Sequence, residues 1–122
     1  MPINQRDVYL LPHPWDNNAE RHPFIVLSIE DAIAHERTFL AVMITSEQAR
    51  IDDFSFHLRD EMFEKPLKKP RCHVRMHLIM MAFDEETEGI PPVNKMKKIY
   101  FDELMKNIGD MIFNFDFRPN KN

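Results

Sequence analysis

The stretch Cys72-His-Val-Arg-Met-His-Leu-Ile-Met-Met-Ala-Phe83 decides the fold class. Its first half alternates: Val74, Met76 and Leu78 share one face of an extended chain, and His73, Arg75 and His77 share the other. Its second half, Leu78 to Phe83, is unbroken apolar sequence. No helical periodicity competes with this, so 72–83 reads as the longest strand of the chain.

Working outward from it, Asp53-Phe-Ser-Phe-His-Leu58 alternates in the same way. Phe54, Phe56 and Leu58 are expected to face inward, and Ser55, His57 and Arg59 outward. Between the two lies a Pro- and Lys-rich connection, Glu61 to Arg71. Further upstream, Thr38-Phe-Leu-Ala-Val-Met-Ile-Thr45 and Asp7-Val-Tyr-Leu-Leu-Pro12 are strand-like in composition. Pro23-Phe-Ile-Val-Leu-Ser28 carries four consecutive apolar residues, the mark of a strand covered on both faces. Pro12 to His22 is a polar, turn-rich loop. Ser28 with Asp31 three residues on has the form of a capping box, predicting a short helix through Ala32 to about His35.

Downstream, Asp84 to Asn94 is an acidic loop, and Lys97 to Phe101 is expected to form a short last strand. Asp102 stands at an N-cap with Glu103 in the first turn. Leu104, Ile108, Met111 and Ile112 then fall on one stripe of a C-terminal helix. The expected architecture is mainly β: a small, strongly bent sheet or barrel of five to seven strands, with a short helix after strand 2 and a C-terminal helix. The chain, 1–122, is read as one domain with its core at about 6–113 and a polar tail after 117.

Composition narrows the function. A lone cysteine, Cys72, cannot form an internal disulfide and fits a reducing compartment. It is read as a small residue at a strand start rather than a nucleophile. The N-terminus has no secretory pattern, and Leu78 to Phe83 falls far short of the roughly 20 apolar residues that span a bilayer. A cytoplasmic location and no membrane contact are therefore expected. The net charge of -4 does not advertise nucleic-acid binding. Yet 65–77 holds Lys65, Lys68, Lys69, Arg71 and Arg75 with no Asp or Glu, a basic band on an acidic chain.

The order of these segments resembles the MazF/PemK (Kid) family of bacterial toxins. Arg6-Asp-Val-Tyr-Leu-Leu is similar to the family's opening strand, which usually begins Gly-Asp. Arg21-His-Pro-Phe-Ile-Val-Leu-Ser28 is similar to its segment of Arg-Pro, apolar run and Ser. Leu40-Ala-Val-Met-Ile-Thr-Ser46 resembles the third strand ending in Thr-Thr or Thr-Ser, and Val74-Arg-Met-His-Leu a later strand with a basic residue after Val. Ile99 to Leu104 fits the turn into the last helix.

The resemblance covers about residues 6 to 112. It implies an SH3-like barrel, endoribonuclease activity on single-stranded RNA, a cognate antitoxin and a homodimer. In the family, catalysis is attributed to the Arg before Pro and to the Thr ending the third strand. Thr45 matches the second. At the first, His22 precedes Pro23 and Arg21 stands one place earlier. An alternative reading is a catalytically inactive barrel that binds protein or nucleic acid.

Metal-free RNA cleavage needs a base for the 2′-hydroxyl, an acid for the leaving 5′-oxygen, and donors for the phosphorane. Histidine suits the first two near neutral pH, and Arg, Lys or hydroxyl groups the third. The expected catalytic set is Arg21, His22 and Thr45, with Trp15, Lys68, Lys69, His73, Arg75 and His77 binding RNA. Trp15 has two readings, a base-stacking residue or an apolar lid on the barrel. Singly, each of these residues also has an ordinary structural use: His22 in a turn, Thr45 at a strand end, and 73–77 as a solvated face. No cofactor or metal is expected. His73 and His77 on an extended strand stand roughly 13 Å apart, too far to share an ion.

Overall fold

The computed structural model describes residues 2–16 and 18–114. Six strands form one antiparallel sheet: β1 (Asp7–Leu11), β2 (His22–Val26), β3 (Thr38–Thr45), β4 (Ser55–His57), β5 (His73–Phe83) and β6 (Asn94–Lys95). Helix α1 (Glu30–Glu36) joins β2 to β3, and α2 (Lys98–Ile108) follows β6. The strand order is β4-β5-β3-β2-β1-β6. A register shift between Val42 and Ile44 opposite β5 bends the long β3–β5 ribbon. Past β4 the chain crosses to the far edge of the sheet, where Phe63 bridges to Met96 beyond β6. The Glu64 N–H donates to the Lys95 carbonyl at 2.9 Å and the Lys97 N–H to the Met62 carbonyl at 2.8 Å. The segment that follows β4 thus docks along the edge beyond β6, and the sheet curls into a half-barrel.

Strand alternation sorts the apolar residues into two cores. Val8, Ile25, Val42, Ile44, Val74 and Met76 point into the barrel, where Phe101, Leu104 and Ile108 of α2 seal it. Tyr9, Phe24, Val26, Ala41 and Met43 face the other way and are covered by Ile3 and by Ile33 of α1. This is the two-sided burial expected of 23–28. The sequence has two glycines, so most left-handed turns fall to other residues: φ is positive at Arg6, Arg37, Arg71 and Asn114, and at Gly89.

Four local expectations are corrected. The Ser28 hydroxyl does not cap α1; it accepts the Leu40 N–H at 2.8 Å, and Ile29 takes the N-cap position without a side-chain bond. A bond to the neighbouring strand outcompetes the local one. Phe54 is 40% exposed, because β4 begins only at Ser55 and the Phe54 N–H is held in a turn by Asp52 Oδ1 at 2.9 Å. Residues 98–101 are helical rather than extended, and Lys97, not Asp102, is the N-cap of α2. Phe101, Leu104 and Ile108 lie at helical spacing over the barrel, and Lys98 pairs with Asp102 at 2.8 Å across the first turn. Past Ile108 the turn widens over Gly109–Phe113, which leaves Ile112 packed but carries Met111 out to 44% exposure. The tail after 117 lies outside the described residues.

Candidate active site

A cleft of about 490 Å³ opens where the ends of β1, β2 and β3 meet the 63–72 connection. Its floor is apolar, from Val8, Ile44, Phe63 and Leu67. Its walls carry Arg21, His22 and Thr45 together with Lys65, Lys68 and Lys69. The adjacent Arg21 and His22 and the sequence-distant Thr45 therefore share one cavity with the first half of the basic band.

The sheet explains the convergence. His22 is the first residue of β2 and pairs with Leu11; Thr45 is the last residue of β3. The pairing Phe24↔Met43, carried on by two residues, brings His22 level with Thr45. Arg21 sits just before β2 and donates from Nη1 to the Leu10 carbonyl at 3.2 Å. The cleft lies at the strand's beginning, so it receives both Arg21 and His22 although they precede Pro23 by different counts. Arg21, Lys65, Lys68 and Lys69 enter no ion pair among the described residues. Glu47, also on the wall, is paired with Arg50 at 2.8 Å. Among the described residues Glu20 is the one unpaired carboxylate of the lining, against Arg21 and three lysines, so the uncompensated charge of the cleft is net positive, suited to phosphate.

Each chemical group has a defined state. His22 Nδ1 lies 3.0 Å from the Glu20 carbonyl. A carbonyl only accepts, so Nδ1 carries the proton and Nε2 presents a lone pair when the ring is neutral. Thr45 Oγ1 accepts the Glu47 N–H at 3.2 Å, which leaves its own hydrogen free to donate. Thr45 is 6% exposed. Cys72 lines the cleft, but burial pushes its thiol up, the opposite of what a nucleophile requires.

Trp15 is 57% exposed on the β1–β2 loop, edge-on to His13 at 5.0 Å, and is not a buried lid. His77 is exposed against the Phe54 ring. His73 and Arg75 do not form the solvated face expected of them. His73 is fully buried with neither ring nitrogen bonded, and its ring lies 6.3 Å from that of His57. Arg75 is 6% exposed and donates to Asp52, to Ser55 Oγ and to the Arg50 carbonyl. Alternation placed them on the correct side of β5. What it does not contain is the 46–55 loop, which Arg75 itself ties down across that side. Among the described residues no group of three or more His, Cys, Asp or Glu is placed to hold a metal ion. No helix among them is long and apolar enough to cross a membrane.

Sequence reasoning passed over Lys65 as a wall residue and His13 altogether. His13 stacks edge-on against His22 at 5.2 Å. That contact follows from the Leu11↔His22 pairing, which folds the Pro12–His22 loop back on itself.

No protein-family model matches the chain, and no curated protein sequence matches it significantly. Solved structures do. MazF from Deinococcus radiodurans is 15% identical with a TM-score of 0.66, over 93% of this chain and 98% of that one. A MazE-MazF structure from the same organism gives 12% and 0.67, over 93% and 98%. An endoribonuclease in complex with its cognate antitoxin from Mycobacterial species gives 12% and 0.65, over 96% and 98%. The fold of this chain is that of the MazF toxins, along essentially the whole length of those proteins.

Proposed function

We propose that the chain is a MazF-like toxin: a metal-independent endoribonuclease that cuts single-stranded RNA in the cytoplasm. The observation that carries this reading is the convergence of Arg21, His22 and Thr45 in one cleft with Lys65, Lys68 and Lys69. His22 Nε2 takes the proton of the 2′-hydroxyl as it attacks phosphorus. Arg21 neutralises the phosphorane, Thr45 donates a hydrogen bond to it, and the lysines hold the flanking phosphates. Trp15 stacks on a neighbouring base. The buried His73 and Arg75 are not part of this RNA surface. The test is incubation of the purified protein with several single-stranded RNAs, with and without EDTA. Cleavage leaving 2′,3′-cyclic phosphate ends in both is expected; intact RNA, or cleavage only without EDTA, overturns the reading. Intact RNA with retained binding moves it to the inactive binding module.

The partners follow the same reading. The antitoxin contact expected along the basic band from Lys65 to His77 narrows to Lys65 to Arg71, because His73 and Arg75 are buried; an acidic, partly apolar segment laid there closes the cleft. A homodimer is supported by Leu40 and Met81, paired across β3 and β5, which with Phe83 form an exposed apolar strip. A monomer mass by light scattering at micromolar concentration counts against the dimer.

A further inference from the structure

We propose that His13, whose ring packs on His22 beside the cleft, is a second proton-transfer group, the acid that completes His22. The inference rests on the RNA-cleavage reading and adds to it what that reading lacks. Arg21 and the lysines supply charge, and Thr45 a hydrogen bond. None of them readily gives a proton to an alkoxide near neutral pH, whereas an imidazolium does. The only ring packed on His22 among the described residues is that of His13, with centroids 5.2 Å apart and planes at 75°.

The backbone gives the two rings opposite faces. His22 Nδ1 donates to the Glu20 carbonyl at 3.0 Å, so its Nε2 is the free acceptor. His13 Nδ1 accepts the Trp15 N–H at 3.4 Å, so in the neutral ring its proton sits on Nε2. One imidazole presents a lone pair and its neighbour an N–H. The His22 arrangement survives protonation, because Nδ1–H stays on the carbonyl in both states. The His13 arrangement does not, since a second proton on Nδ1 ejects the Trp15 N–H. That bond is the longer of the two and the loop is exposed, so little is lost when His13 charges.

The 2′-oxygen bonds to phosphorus while its proton passes to His22 Nε2. The P–O5′ bond breaks, and the 5′-oxygen takes the added Nδ1 proton of protonated His13, whose Nδ1 then accepts the Trp15 N–H again. The products are a 2′,3′-cyclic phosphate and a 5′-hydroxyl, with His22 charged and His13 neutral; exchange with water restores the pair.

Two measurements test this. Nitrogen-resolved NMR of the free protein, well above pH ~6.5 where histidines are neutral, is expected to show His22 protonated on Nδ1 and His13 on Nε2. The same tautomer in both rings overturns the proposal. In kinetics, His13→Ala is expected to slow cleavage of ordinary RNA by about a hundredfold or more and to remove the fall in rate at high pH. His13→Asn keeps an acceptor for the Trp15 N–H and should be equally slow. RNA with sulfur in place of the 5′-oxygen has a leaving group that needs no proton. It is expected to restore both His13 variants to near the wild-type rate while His22→Ala stays slow. His13 variants that cut ordinary RNA normally, or gain nothing from sulfur, overturn the role of His13 alone. A wild type that cuts neither substrate overturns the RNA-cleavage reading and this role with it.

Discussion

Arg75 and Asp52 are joined by two parallel hydrogen bonds, Nη1 to Oδ1 at 3.1 Å and Nη2 to Oδ2 at 3.0 Å. The guanidinium side chain is 7% exposed and the carboxylate 48%. The pair fastens the 46–55 loop, and hence the end of β3 that carries Thr45, to β5. Asp52→Ala strands a buried cation whose Nε already lacks a partner. It should lower Tm by more than the double variant Asp52→Ala with Arg75→Met, which leaves no buried charge. A double variant less stable than the single by thermal unfolding contradicts this. The hydrogen bond from Arg75 also holds the Asp52 carboxyl below its ordinary value. Its stabilisation is therefore full above the ordinary aspartate range, near pH ~4, and is lost as pH falls through the lowered value. Asp52→Asn should flatten the acid end of the Tm–pH curve.

His73 gives a second, separate pH dependence. Burial, then the nearby charges of Arg75 and His57, push its imidazole below the ordinary value. The folded state holds it neutral, while the unfolded chain takes up a proton below pH ~6.5. Stability should be full above that pH and decline as pH drops below it, until the lowered value is passed. His73→Leu, read by thermal unfolding between neutral and mildly acid pH, should remove this slope while Asp52→Asn leaves it in place.

At Thr45 the two roles separate by substitution. Thr45→Ser keeps the hydroxyl that accepts the Glu47 N–H and donates to substrate, and should retain most activity. Thr45→Val keeps the volume and loses both bonds. A rate loss on the order of 10²–10³ is expected for it, as for a lost oxyanion donor, together with a lower Tm. Equal rates for the two variants would remove Thr45 from the chemistry.

Reversing charge at Lys68 and Lys69 should weaken RNA binding uniformly across sequences. Because each phosphate contact releases counterion, the slope of log affinity against log salt should fall by about one per lysine lost. Fluorescence titration at several salt concentrations measures it. An unchanged slope places the RNA elsewhere.

Lys97 occupies the N-cap of α2 in extended geometry and makes no side-chain cap bond. Lys97→Ser supplies that acceptor. It should stabilise the chain by about 1 kcal/mol in urea unfolding, with no effect on the cleft.

Strand identity was readable because alternation is a local signal: 38–45 and most of 73–83 are where the periodicity puts them. Residues 98–101 were misread for the same reason, since the aromatic and branched content of Ile99, Tyr100 and Phe101 favours a strand locally. The barrel surface that Phe101 covers is not written in that segment. Arg21, His22 and Thr45 were singled out through motif order, and the fold brings them to one cleft. His13 was not, because its meeting with His22 depends on hairpin register, a relation between two segments. His73 and Arg75 were read on the proper side of β5, but the loop that ties down Arg75 joins β3 to β4, and His73 is packed against His57 of β4.

Arg6, Arg37 and Arg71 stand at left-handed backbone positions that most chains give to glycine. At these three turns the main chain reverses at a point of fixed positive charge. Arg6 spends its charge on the Met96 carbonyl at the barrel seam, Arg37 on Asp84, and Arg71 opens the strand beside the cleft. Relaxing any of these bends with glycine would also erase a cation. At these three positions the geometry of the turn and the placement of a cation are therefore inherited together.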